Sequence, residues 1–211
     1  MLLLVLACAH APEPRHETAQ VRVEAAADED WLGVRFQLAP GWHIYWLNPG
    51  DSGMATEVEA ASDTVTLGAA RFPGPERFLS PGDITSYGWS DEVVVLLPIE
   101  GEGQVAVEAT WLVCKDVCHY QQARLRASTK PTRDLSEHVL ALPGSIEATA
   151  HEDGWLVPGV DLFPSSELDL ALGERRIDDE GIFFTADGGE GLWGLVRDAD
   201  GRFHRFDLET P

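Results

Sequence analysis

Cys114 and Cys118, separated by Lys115-Asp116-Val117 and followed at once by His119, are the residues of this chain whose types and spacing best support chemistry. Two thiols this close can exchange a disulfide with another protein, staple a hairpin, or join His119 as soft ligands for Cu(I) or Zn(II). As a staple the pair contributes little. Closing so short a loop removes only ~2 kcal/mol of chain entropy, against nearly ~5 kcal/mol for a loop of about a hundred residues. Short, exposed bridges are also the ones that partner thiols reduce. As a metal site, Cys114, Cys118 and His119 form an incomplete set: His119 is out of phase with both thiols on a strand, and no second cysteine pair is present to close a zinc site. The nearest candidate thioether, Met54, is far off in the chain. Electron relay, staple and metal site stay open as readings of the residues alone.

Other chemical templates fail. The chain has no Gly-x-Ser-x-Gly, no His-Glu-x-x-His and no phosphate loop. Its histidines are scattered, and only His43 and His119 fall in segments of chemical interest. His43 reads as a strand-face residue lining a cleft rather than as a base.

The elements that must position the cysteines show period two. Val105, Val107, Ala109, Trp111 and Val113 alternate with Gln104, Glu108 and Thr110, and Ala123, Leu125 and Ala127 follow on the next strand. Cys114 is in line with the polar set. Cys118 is in phase with Tyr120, Gln122, Arg124 and Arg126. A hairpin with Lys115-Asp116-Val117 as its loop then makes the two cysteines cross-strand neighbours on the accessible face. Directly opposed residues have Cβ atoms ~4.5–5.5 Å apart, close to what a disulfide needs.

Leu32, Val34, Phe36 and Leu38, then Trp42, Ile44 and Trp46 after the turn Ala39-Pro40-Gly41, repeat the alternation. Val93 to Ile99 is apolar on both faces, as a strand covered on both sides must be. Many short strands separated by Pro and Gly clusters predict an all-β fold, an immunoglobulin-like antiparallel β-sandwich. One helix is expected where Asp134 and Glu137 form a capping box and Leu135, Val139 and Leu142 share a face before Pro143-Gly144. The chain divides on this reading into a signal and tether (1–17), the sandwich (18–144) and a small β-rich C-terminal extension (145–211). The extension has strand signals at Gly154–Val157, Leu168–Leu172, Gly181–Thr185, Leu192–Val196 and Arg202–Leu208. Its core is small, so it is expected to dock on the sandwich.

A formal charge of −21 over 211 residues, spread along the chain, argues against nucleic acid as a partner. The first residues, Met1-Leu-Leu-Leu-Val-Leu-Ala7-Cys8, are too short to span a bilayer and read as the end of a secretory segment with a lipobox. Cys8 is therefore the expected lipid anchor. The odd count of three cysteines is then resolved, because Cys114 and Cys118 are left as a pair in an oxidising compartment.

Three motifs in order carry a resemblance: Gly41-Trp-His-Ile-Tyr-Trp-Leu-Asn-Pro-Gly-Asp-Ser-Gly53, Ser86-Tyr-Gly-Trp-Ser-Asp-Glu92, and Trp111-Leu-Val-Cys-Lys-Asp-Val-Cys118. From about Glu17 to Ser128 the chain resembles the N-terminal domain of the thiol:disulfide interchange protein DsbD, in the branch related to copper-sensitivity suppressor proteins. The segment from Val160 to Arg176 looks like an extension of that branch. The resemblance implies an immunoglobulin-like domain that takes electrons from a separate membrane donor. It passes them to periplasmic thiol-disulfide oxidoreductases, with Cys114 and Cys118 as the redox pair and no cofactor. Tyr45 matches an aromatic beside the pair, and Tyr87-Gly88 match a shielding loop. Here the loop between the cysteines is shorter than in the best-known members, and Ser86 stands where they carry an aromatic, so Trp89 is expected to share the shielding. The competing class is a non-enzymatic module that binds copper or a partner protein, with the disulfide as scaffold.

Overall fold

The structure, a computed structural model, describes residues 15–188 and 191–208. Cys8 lies outside the described residues. The period-two runs become two facing sheets, an immunoglobulin-like antiparallel sandwich as expected. One sheet is ordered β1 (Arg15–Glu17), β2 (Val21–Ala27), β3 (Trp31–Leu38), β9 (Glu92–Glu100), β6 (Thr66–Leu67). The other is ordered β11 (Cys118–Ser128), β10 (Gln104–Cys114), β4 (His43–Gly50), β8 (Ile84–Ser90), β7 (Glu76–Ser80). A further strand, β5 (Glu57–Ala61), pairs with Ala106–Thr110 of β10, and β4 takes over that flank at Val113 and Cys114.

Between the sheets lies one buried cluster that includes Leu32, Val34, Phe36, Ile44, Trp46, Trp111 and Val113. Phe36 meets Trp111 edge-on with ring centroids 5.3 Å apart. Each such side chain contributes roughly 1.5–3 kcal/mol by leaving water. The doubly apolar strand β9 has its second face covered too. Val94 and Leu96 pack on Leu135, with Val139 and Leu142 alongside, at the short helix α1 (Ser136–Leu140). The expected capping box does not start that helix. Leu135 is the N-cap residue, without a side-chain cap, and Asp134 instead accepts the Ser136 N–H at 2.9 Å. Burial of Leu135 fixes the start of the helix, so the cap position passes to an apolar residue.

The C-terminal part forms two further sheets. One is ordered β12 (Gly144–Ser145), β19 (Phe203–Asp207), β18 (Trp193–Arg197), β15 (Asp161–Pro164). Its companion is ordered β13 (Thr149–His151), β14 (Gly154–Val157), β17 (Gly181–Ala186), β16 (Leu172–Asp178). They enclose a second cluster around Val157, Leu162, Leu168, Ile182, Phe184, Val196 and Phe206. The expected strand at Leu168–Leu172 is instead helix α2 (Ser166–Ala171). Ser165 caps it by accepting the Leu168 N–H at 3.2 Å, so Leu168 is buried while Leu170 faces solvent. Spacing by two suggested a strand, but the serine cap favours the helix.

Side chains of this part also enter the sandwich. Phe163 and Leu195 belong to its core cluster, and Trp193 stands edge-on to Trp46 at 5.9 Å. Arg77 on β7 pairs with Asp161 at 2.7 Å and donates to the Leu162 carbonyl at 2.6 Å. Asn48 on β4 donates to the Pro164 carbonyl and to Asp169, each at 3.1 Å. The C-terminal part thus holds β4, which flanks Cys114, and β7 at the far edge of the same sheet. Among the described residues no helix is long and apolar enough to cross a membrane.

Candidate functional site

The hairpin of β10 and β11 pairs without a break from Gln104↔Ser128 to Cys114↔Cys118. The cysteines are its last pair, closed by Lys115-Asp116-Val117, and they form a disulfide with Cα atoms 4.1 Å apart. Their surroundings differ. Cys118 is exposed, as expected, beside Val117 and Tyr120, which are 63% and 59% exposed. Cys114 is only 1% exposed, against the expectation that both cysteines face solvent. The reason is its second neighbour. On the side of β10 away from Cys118, Cys114 is the register partner of His43 on β4. Strand alternation assigned Cys114 to the right face, but β4 and the residues around it cover that face.

His43 is fixed by aromatic contacts. Its Nε2 lies 3.3 Å from the Tyr45 hydroxyl, and its ring packs on Phe78 of β7 at 4.9 Å and against Tyr45 at 5.2 Å. Burial lowers the His43 pKa below its ordinary value, and the carboxylate of Glu76 acts in the opposite sense. Burial likewise raises the Tyr45 phenol, which stays neutral. Glu76 accepts both hydrogen-bond approaches of the Ser90 hydroxyl at 2.9 and 3.0 Å, and Ser90 is the register partner of His43 on β8. Ser90, His43, Cys114 and Cys118 therefore form one row across four strands.

Two glycines permit this packing. Gly53 has φ +118, and a Cβ there would overlap the Tyr45 ring. A Cβ on Gly88, the register partner of Tyr45, would collide with the Ile44 carbonyl oxygen. Gly88 is thus needed for the close approach of β8 to β4.

The expected shield is placed differently. The segment from Ser80 to Trp89, which holds the expected shielding loop, is mostly the β7–β8 hairpin, turning at Gly82 and Asp83 with positive φ. Alternation on β8 sends Tyr87 and Trp89 inward: both are buried in the core, Tyr87 against Phe163 at 5.7 Å and Trp89 stacked on Phe72 at 6.0 Å. On β8 the residues that share the face carrying Cys114 are Ile84, Ser86, Gly88 and Ser90. Around His43 the large side chains on that face are Tyr45 and Phe78. Phe78 was missed by sequence reasoning, although Glu76-Arg-Phe-Leu-Ser before Pro81-Gly82 carries a hairpin signal.

His119 is the register partner of Val113, one residue out of phase with the thiols, and its ring lies 5.7 Å from Trp42. It does not join the two sulfurs. Among the described residues no group of three or more His, Cys, Asp or Glu is arranged to hold a metal ion. Lys115 reaches back over the turn before β4, where a Cβ on Gly41 would lie 3.2 Å from its Nζ.

The structure is an immunoglobulin-like sandwich whose edge hairpin is closed by a disulfide with one exposed cysteine, an arrangement open to thiol–disulfide exchange. The family described as thiol:disulfide interchange protein DsbD, N-terminal, matches residues 11–130, and the chain belongs to that family. Among solved structures, the N-terminal periplasmic domain of ScsB from Proteus mirabilis is similar over 90% of this chain and 93% of that one, with TM-score 0.66 and 19% identity. The reduced DsbD N-terminal domain of Neisseria meningitidis covers 52% of this chain and 83% of its own length, with TM-score 0.38 and 21% identity. A structure of the complex between the DsbD and PilB N-terminal domains of the same organism matches with TM-score 0.39 and 16% identity, over 60% of this chain and 96% of that one. The ScsB domain shares the fold of this chain, the C-terminal part included. No curated protein matches the chain at the same stringency.

Proposed function

We propose that this chain relays electrons between proteins of the bacterial periplasm through the Cys114–Cys118 pair. The carrying observation is the asymmetry of the disulfide: an exposed Cys118 at a hairpin tip, bonded to a Cys114 that β4 covers. A partner thiolate attacks the Cys118 sulfur, Cys114 leaves as the thiolate, and a mixed disulfide forms at Cys118. Tyr45 and Phe78, seated through Gly88 and Gly53, keep small oxidants from Cys114. Family membership supports thiol-disulfide oxidoreductases as partners, with electrons drawn from a membrane donor. Cys8 is the proposed lipid anchor, and residues 145–211 are proposed as a unit that braces the sandwich rather than one that exchanges electrons.

The test is a pair of single-cysteine variants. Cys114→Ala leaves Cys118 free and is expected to trap disulfide-linked partners from a periplasmic extract, whereas Cys118→Ala traps few. Equilibration with glutathione, read by alkylation, is expected to place the wild-type potential above about −300 mV, outside the range of resistant structural bridges. A much lower potential, or unfolding on reduction, would reassign the bridge as a staple. For the anchor, mass spectrometry of the exported protein should find lipid on an N-terminal Cys8, and a chain that retains Met1 would exclude it.

A further inference from the structure

Building on the interchange reading, we propose that His43 balances the charge that appears on Cys114 when the disulfide opens, so that the reduced protein holds a Cys114 thiolate beside a protonated His43. Cys114 has Cys118 opposite it on β11 and His43 opposite it on β4. Directly opposed side chains in a sheet stand ~4.5–5.5 Å apart at Cβ, within reach of an imidazole. The titratable groups that face His43 are Tyr45 on its own strand, Glu76 on β7 and Cys114 on β10; Ser90 on β8 does not titrate. Since Nε2 is engaged with the Tyr45 hydroxyl, Nδ1 is the nitrogen left for the sulfur side. Phe78 and Tyr45 hold the ring, so the geometry is set before any thiolate appears.

The need for such a group follows from burial. At 1% exposure a lone thiolate on Cys114 is disfavoured, because burial penalises the charged form. A neighbouring imidazolium reverses that preference. In the step itself, a partner thiolate forms a bond to the Cys118 sulfur and the Cys114–Cys118 bond breaks, with its electron pair remaining on the Cys114 sulfur. The proton that neutralises this charge comes from water to His43. A second partner thiolate then attacks the partner sulfur of the mixed disulfide and releases Cys118. The partner dithiol is oxidised to a disulfide, and this chain is reduced by two electrons. The reverse sequence passes the electrons on. In the oxidised protein Glu76 alone favours the imidazolium, and burial keeps the ring neutral. The histidine therefore changes protonation with the redox state of its neighbour.

The experiment uses the full chain with Cys8→Ser and Cys118→Ala, which leaves Cys114 as its one thiol, and measures the iodoacetamide alkylation rate against pH. With His43 present the rate is expected to persist into mildly acidic solution. Adding His43→Phe, which keeps an aromatic ring against Phe78, is expected to move the profile upward by at least about one pH unit, a ~10-fold loss of thiolate where the wild-type profile is rising. His43→Gln serves as a second variant should the Phe ring disturb packing. In the wild type, the His43 imidazole proton resonances should titrate at higher pH in the reduced than in the oxidised protein. Coincident alkylation profiles in both variants, or a His43 titration unchanged by reduction, would overturn the proposal. Partner trapping at Cys118 is a separate readout. Its failure with a shifted Cys114 profile would sink the relay and leave the His43 pairing standing; normal trapping with an unshifted profile would do the opposite.

Discussion

Replacing Phe163 by Ala tests how firmly the C-terminal sheets are joined to the sandwich that carries the cysteines. Phe163 is 1% exposed and sits in the sandwich core although it belongs to β15. Its ring meets Tyr87 at 5.7 Å and Phe203 at 5.3 Å, and the Arg77 guanidinium lies over it at 5.1 Å. Truncating a buried Phe to Ala costs about 3–5 kcal/mol through lost transfer and the cavity left behind. The lower part of that range applies if Arg77 and Tyr87 relax into the gap, the upper part if the Arg77 pair with Asp161 holds them in place. Taking ~4 kcal/mol, a chain of this size should melt about 8–16 °C lower. Calorimetry of the wild type is expected to show one cooperative transition, and the variant one transition shifted by that amount. A shift below about 3 °C would mean a loss near 1 kcal/mol and would refute the idea that Phe163 joins the two parts. So would two well-separated transitions in the wild type.

Gly88→Ala should lower stability by about 2–3 kcal/mol and speed alkylation of reduced Cys114, because the new Cβ must push β8 away from the Ile44 carbonyl. Denaturant melts and iodoacetamide rates check the two halves; an unchanged rate would separate the strand contact from the cover. Reducing the disulfide should leave the near-ultraviolet dichroism of the folded protein and cost no more than about 2 kcal/mol, since the hairpin ladder already holds the loop. Acid should weaken the oxidised protein through His43. Its folded pKa is lowered by burial, so between that value and 6.5 the unfolded chain binds more protons and stability falls as pH falls. His43→Phe should flatten this segment of the stability profile, and an unaltered profile would assign the acid sensitivity to other groups.

The sandwich was legible because its strands alternate so regularly. Leu32 to Leu38 and Val105 to Val113 state which side is inside, and β9 even announced that both its faces are covered. The hairpin and its cysteine pairing followed from spacing and phase alone. What could not be read was anything decided by a third strand. Leu168, Leu170 and Leu172 have strand spacing, yet a serine cap and one buried leucine make a helix. Tyr87 and Trp89 flank Gly88 in the segment that the resemblance assigns to a shielding loop. Pairing with β4 and β7 instead fixes that segment as a strand with both aromatics in the core.

The same limit explains Cys114, and it bears on mechanism. Alternation within β10 assigns each residue to a face, but exposure on that face depends on which strand lies next to it. Along Ala106–Thr110 that neighbour is β5; at Cys114 it is β4, which brings His43, with Tyr45 and Phe78 around it. The exchange of neighbour thus falls where the reactive pair begins. A disulfide flanked by open strand on both sides would present both sulfurs equally to any thiol. Here the fold itself differentiates them, and it does so with backbone pairing and not with a mobile loop. The buried sulfur then needs a fixed cation rather than solvent, and the strand that buries it brings a histidine to that position.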